Sequence, residues 1–563
     1  MVPAMAAADP FDALRRNVSH LGRVLGDTLV ELEGPALFEL EEQIRALAKA
    51  RRTTAGRERR RHEAELRRIV RGLDTPQAER VARAFAHYFQ LVNLAEQHHR
   101  VRRLRESERD DKPREGSFAQ LTATLPERAS AALVGDLLAR LSVELVFTAH
   151  PTEAQRRTVL DKHRRIEAIL DRLERVDLTA RERDAEHARL REEVAVLWQT
   201  DEIRLERPRV GDEVKNALFY LEEVLYPLLP TLLERLESGL ATAYGAKVAV
   251  PPVLRFGSWV GADMDGNPNV TPEVAVDTAF AHAARVVALH LGEVGRLGNL
   301  LSQSTRRVAV SPELEASLTQ DLADWPSLAA EVEPRTANEP YRRKLRIVEA
   351  RLAATRDAFV RGRAGAKSAL GHGYRDAAEL DADLALVEDS LAQHKGQRAG
   401  LREVRALRRQ VQTFGFHMAR LDLRVPAEWV RETVRAALWL PEGMALPTET
   451  LAAVLGERRV PARPDTAGMR AMEALGRMRA VTSSAAGESF IMSMAHGHDD
   501  MLAALVVARI AGLYRADDGI ADVSVVPLFE TLDDLSRCPD ELDRAFANPA
   551  YRRYLDLRGG VQE

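Results

Sequence analysis

The stretch VELVFTAHPTEAQRR, residues 143–157, runs an apolar, β-branched segment into His150 and Pro151 and then into a basic helix. Pro151 disfavours the α conformation at His150, so the strand ends there and the imidazole points off the sheet edge. Thr152 is placed to cap a helix starting near Glu153. That puts Arg156 and Arg157 in the first turns, where the helix dipole disfavours cations and a bound anion would relieve them. A histidine beside arginines suits phosphate or carboxylate chemistry. A structural histidine at a strand end is the plainer alternative.

Three further stretches carry chemistry. FGSWVGADMDGNPNVTPE, residues 256–273, gathers Asp263, Asp265 and Asn267 among glycines and a proline, which is turn chemistry in a loop of functional type. Its D-x-D-G does not make a calcium loop. With Asp263 first, the twelfth position falls on Val274 rather than on a glutamate. Arg424 ends a short alternating run before Pro426 and suits bidentate recognition of phosphate or carboxylate, with a surface ion pair as the alternative. Glu530 closes VSVVPLFE and is a hard-ion ligand of the kind Mg²⁺ takes once or twice per site. Asp533 and Asp534 just after it suit a helix start.

Five runs must position these side chains: 143–149, 252–261, 421–425, 489–495 and 523–530. Helical pattern follows each, which predicts parallel pairing through crossovers. Polar residues at the carboxyl ends of strands mark the active face of a β/α barrel. A doubly wound sheet would also bind ligands there, but no G-x-G-x-x-G turn is found. The expectation is a predominantly helical α/β chain. A helical region spans 1–140. An incomplete β/α barrel of about five strands with large helical insertions spans 141–563. An apolar helix near 213–238 should be kinked by Pro227 and Pro230.

The composition narrows the class. Charged residues are 29% of 563 yet leave a formal net charge of −4, which points to neither nucleic acid nor membrane. Residues 43–72 hold eleven Lys/Arg against three Asp/Glu. They read as a solvated helix pair broken near TTAG, since aromatic interleaving is missing. The single cysteine, Cys538, excludes an internal disulfide framework and fits a reducing compartment. No signal-peptide pattern or run of 18 uncharged apolar residues is present. A cytoplasmic protein is expected.

Together the blocks RAFAHYFQLVNLAEQHH, FTAHPTEAQRRTVL, LWQTDEIR, FGSWVGADMDGNPNVT, FGFHMARLDLR, ESFIMSMAHGHDDMLA and VVPLFETLDDL resemble phosphoenolpyruvate carboxylases, in that family's order. The resemblance implies carboxylation of phosphoenolpyruvate with bicarbonate to oxaloacetate and phosphate, through carboxyphosphate and an enolate, with Mg²⁺ or Mn²⁺. His150 matches the histidine of the carboxyphosphate step. Arg424 matches an arginine at the phosphate end, and Glu530 matches a metal ligand. A homotetramer is the family's usual assembly. Ala262, Met264 and Val425 depart from the common Gly, Arg and Gln, which implies a divergent subgroup. The family's second metal carboxylate and its glycine-rich, arginine-bearing loop have no counterpart here. The expectation is therefore a truncated chain, inactive alone. A non-catalytic helical interaction module, half of a split enzyme, and a phosphohistidine carrier at His150 are the alternatives.

Overall fold

The computed structural model describes residues 9, 11–109, 113–148, 156–202, 209–363, 371–482 and 486–563. The chain divides into two units, residues 1–120 with 153–207, and residues 121–152 with 208–563.

The first unit is helical. Asp12–Glu33, Pro35–Thr53, Gly56–Arg71 and Thr75–Arg109 are joined by Arg157–Leu173 and Ala180–Trp198. Leucines and valines at helical spacing make its core, with Leu21, Leu29, Leu91, Ile166, Leu190 and Leu197 almost fully buried. The basic pair breaks at Thr54 and Ala55, close to the expected TTAG. Gly56–Arg71 buries no residue, and its arginines pair along their own helix, Arg67 with Glu63 and Arg68 with Glu65.

Among the described residues the second unit holds eight strands: β1 Val143–Phe147, β2 Leu254–Ser258, β3 Arg420–Leu421, β4 Leu423–Pro426, β5 Ser489–Ser493, β6 Tyr514–Arg515, β7 Ile520–Ala521 and β8 Ser524–Pro527. β1, β2 and β3 pair in parallel, as do β4, β5 and β8. A bridge between Asp263 and Arg424 and the bond from the Asp422 amide to the Ser258 carbonyl, 3.1 Å, link the two sets into one parallel row. β6 and β7 form a small antiparallel pair. All five expected strands are present. β1, β2 and β8 end before His150, Asp263 and Glu530, whereas Arg424 lies within β4, and the third run is divided at Asp422. β5 is buried throughout, which explains its unbroken apolar run.

The expected kink takes a different form. Val210–Tyr220 passes into a π-helical turn, Leu221–Leu225, and then into Tyr226–Tyr244 with Pro227 in its first turn. Pro230 lies inside that last helix and has no N–H for the Tyr226 carbonyl. The Gln410 side chain supplies the missing donor at 2.9 Å. Pro272–Leu300 is by length and composition long and apolar enough to cross a membrane. It nevertheless buries Ala283, Val286, Val287, His290 and Leu297, and lies against Pro340–Arg363, with Gly298 facing Leu345.

Candidate active site

The strand ends bring four of the sequence-derived residues together. Arg424 lies on β4, one residue from the buried Val425 and two from Pro426, which stops the strand and starts the helix Ala427–Ala437. Its guanidinium reaches Asp263 at 3.3 Å, Asp265 at 3.0 Å and Glu530 at 3.3 Å. The Asp263 loop is held in register by backbone bonds in both directions, Arg424 to Ala262 at 3.2 Å and Met264 to Arg424 at 2.9 Å. The turn feeding it needs Gly261. Its φ is +86°, and an added Cβ would fall 2.5 Å from Thr278 Oγ1 and 2.9 Å from Val214 Cγ2.

Glu530 follows β8, just before the helix Leu532–Ala547, whose cap is Thr531. One carboxylate oxygen meets Arg424, and the other accepts from the Met494 amide at 2.7 Å. Met494, just past β5, holds φ at +53°, a conformation uncommon outside glycine and frequent at functional sites. Asn267 caps its own turn, its Oδ1 accepting from the Asn269 amide at 3.1 Å. Asp533 and Asp534 start the helix, as expected.

The charges in this cluster do not balance. One guanidinium faces three carboxylates, so two negative charges are left over when all are ionised. The Asp263 carboxyl is raised above its ordinary range, chiefly by burial, against the Asp265 amide and Arg424, which favour its ionised form. Arg424 Nε is buried and has no hydrogen-bond partner among the described residues. An orphaned guanidinium donor at a strand end is a ready anion contact. The surplus carboxylate charge suits a divalent cation, but no group of three His, Cys, Asp or Glu that could hold one occurs among the described residues. Glu530 would therefore be one hard ligand, with water and substrate oxygens completing the set.

Two residues of the site were not singled out from the sequence. The Trp259 ring flanks the Arg424 guanidinium at 5.5 Å, and its indole N–H donates to Asp422 at 3.1 Å. The L-D-x-R spacing held the signal, since alternate residues of a strand share a face and Asp422 shares Arg424's. The expected base, His150, lies outside the described residues, as do Thr152 and Glu153. The described helix begins at Arg157, with Arg156 just ahead of it. Arg156 belongs to the first unit, where its guanidinium donates to the Asp201 carbonyl.

Comparison with known proteins adds the family context. Residues 14–563 match the family model described as phosphoenolpyruvate carboxylase. Phosphoenolpyruvate carboxylase of Xanthomonas campestris is 38% identical over 571 residues, covering 99% of this chain and 61% of that protein. The Roseiflexus castenholzii enzyme is 38% identical, covering 98% and 61%, and that of Thermus thermophilus 38%, covering 98% and 60%.

Proposed function

Because the chain belongs to the phosphoenolpyruvate carboxylase family, we propose that its Arg424 cluster serves carboxylation of phosphoenolpyruvate by bicarbonate, giving oxaloacetate and phosphate. The chain spans about 61% of the length of the curated relatives it matches, so this activity is proposed for the whole protein. The observation that carries the reading is the imbalance at Arg424: an unpartnered Nε beside three carboxylates. Arg424 holds the phosphate or carboxylate end of the substrate. His150 acts at the carboxyphosphate step, and Arg156 is a second substrate contact. Asp263, Asp265 and Asn267 form the loop that sets Arg424's orientation. Glu530 would hold Mg²⁺ or Mn²⁺, which when bound offsets negative charge on the reacting oxygens. The parallel row of strands is read as an arc of a β/α barrel, whose catalytic groups cluster at the carboxyl ends. Homo-oligomeric assembly in the cytoplasm follows from the family.

The test is calorimetric titration of the 563-residue chain with phosphoenolpyruvate in the presence of Mn²⁺. Binding is expected, with loss in Arg424→Ala and weakened Mn²⁺ binding in Glu530→Gln. Undiminished phosphoenolpyruvate binding by Arg424→Ala would overturn the reading.

A further inference from the structure

Arg420, Asp422 and Arg424 alternate along β3 and β4 with the buried Leu421, Leu423 and Val425. The three polar residues therefore share one face. Asp422 is only 8% exposed, and a buried carboxyl is retained only where something satisfies it. The Trp259 indole does so from beyond the end of β2, donating at 3.1 Å, and the same ring lies beside the Arg424 guanidinium. The indole is thus fixed at its nitrogen by one strand residue and meets, with its π-face or edge, the arginine two positions further on.

We propose that Asp422 is a positioning residue for anion binding: by accepting the Trp259 indole N–H it fixes the ring that flanks Arg424, and so orients the guanidinium for substrate. The claim rests on the reading of Arg424 as a substrate contact. Arg424 has carboxylate partners on three sides. The ring is the neighbour that restrains the guanidinium without neutralising it.

The restraint depends on protonation. Burial pushes the Asp422 carboxyl up to about 7, opposed by the hydrogen bonds from Trp259 and Ser489 and assisted by the negative charges of Glu144 and Glu563. Around it, Glu144 comes from β1, Ser489 from β5 and Trp259 from the end of β2. Arg420, on its own strand face, lies 3.7 Å from Glu144 and 3.5 Å from Glu488, and the single Ser489 hydroxyl proton is contested by Glu563, whose carboxylate lies 3.3 Å away. An ionised acceptor holds an N–H roughly twice as strongly as a neutral one, so Trp259 is gripped above about pH 7 and loosened below it.

The experiment follows Trp259 itself. The difference in indole emission between the 563-residue chain and its Trp259→Phe variant is recorded from pH 5 to 9. A single step near pH 7 is expected, absent in Asp422→Asn. Should that variant fail to fold, Asp422→Glu replaces it and should move the midpoint. Phosphoenolpyruvate titrations at pH 6 and pH 8 are run on the same proteins, and Asp422→Asn should remove at least half of any difference between the two pH values. No step in the parent chain, or a step unchanged in the Asp422 variants, overturns the inference. Arg424→Ala separates the two claims. It should keep the emission step while losing phosphoenolpyruvate binding, whereas retained binding would sink the substrate reading alone.

Discussion

Two charged clusters in the second unit use the same residue types to opposite ends. At Lys344, buried completely, each ammonium proton has a partner: Ser317 at 2.7 Å, Asp321 at 2.7 Å and Asp383 at 2.6 Å. Asp383 in turn accepts from Arg351 at 2.9 Å and from the Tyr374 hydroxyl at 2.6 Å, and Arg351 lies over the Tyr374 ring. Every donor is used, and cations match anions. At Arg424 the count fails on both scores: three carboxylates share one cation, and one donor is orphaned. The first arrangement ties helices together. The second stores unmet charge and hydrogen-bonding capacity, which is what a binding site needs and a scaffold cannot tolerate. The lesson is to judge a charged cluster by what it leaves unsatisfied rather than by its residue types.

The largest expected effect lies in the balanced cluster. Lys344→Met leaves Asp321 and Asp383 without their shared cation. Breaking a buried pair from one side costs about 3–5 kcal/mol, read as a lower urea midpoint for the 563-residue chain. A loss under about 1 kcal/mol would mean that the Lys344 network is no more structural than an exposed ion pair. Next comes Arg424→Ala. Losing the proposed anion contact is expected to cost about 10²–10³-fold in substrate-dependent rate or affinity. Its unfolding free energy should fall by no more than about 1 kcal/mol, because Asp265 and Glu530 keep 30% and 36% of their side-chain surface open to solvent.

The third prediction uses pH. Near Arg424 two carboxyls are raised: Asp263 chiefly by burial, and Asp422 to about 7, also chiefly by burial. In the scaffold, burial also raises Glu388, but hydrogen bonds from Arg405 and Arg408 outweigh it and the carboxyl ends below its ordinary value. The signs differ accordingly. Glu388 contributes stability that is present above the ordinary glutamate range and is lost as pH falls. Asp422 in the folded state holds its proton longer than in the unfolded chain. Its contribution is complete below the ordinary value of 3.8 and declines as pH rises toward about 7. Asp422→Asn should flatten that decline, by at most about 1.4 kcal/mol per pH unit, in urea midpoints measured between pH 4 and pH 7. An unchanged slope would separate Asp422 from the pH dependence of the fold.

Much of the site could be read from the sequence because strand ends announce themselves. A short alternating run carrying Arg424 and an apolar β-branched run leading to Glu530 place those side chains near a carboxyl edge, whatever packs around them. The family resemblance was carried by the same blocks. The parallel pairing of the five runs was legible for a similar reason, since helix between strands forces crossovers. What could not be read was pairing across the chain. Nothing local to Trp259 says that its N–H meets a carboxyl 163 positions away, and nothing local to Met494 says that its amide holds Glu530. The helix interruption was misplaced for an energetic reason. Pro227 and Pro230 point to a kink, but at Pro230 the helix continues because Gln410, far away in sequence, satisfies the carbonyl that the proline abandons. The helix is instead interrupted by a π turn ahead of Pro227.

The smallest expected effect divides the clusters most cleanly. Asp265→Asn removes one of the surplus negative charges around Arg424 and keeps the side chain's size. Arg424 still has Asp263 and Glu530 as partners, each at 3.3 Å, so no cation is left bare. The lost attraction and the relieved repulsion nearly cancel, and unfolding should change by less than about 0.5 kcal/mol. The matched change in the other cluster, Asp321→Asn, takes a charged partner from an ammonium that no solvent reaches. That should cost about 1–3 kcal/mol. Paired urea curves of the two variants give the difference directly. If Asp265→Asn proved as costly as Asp321→Asn, the carboxylates around Arg424 would be scaffold, and the charge surplus would lose its meaning as the mark of a binding site.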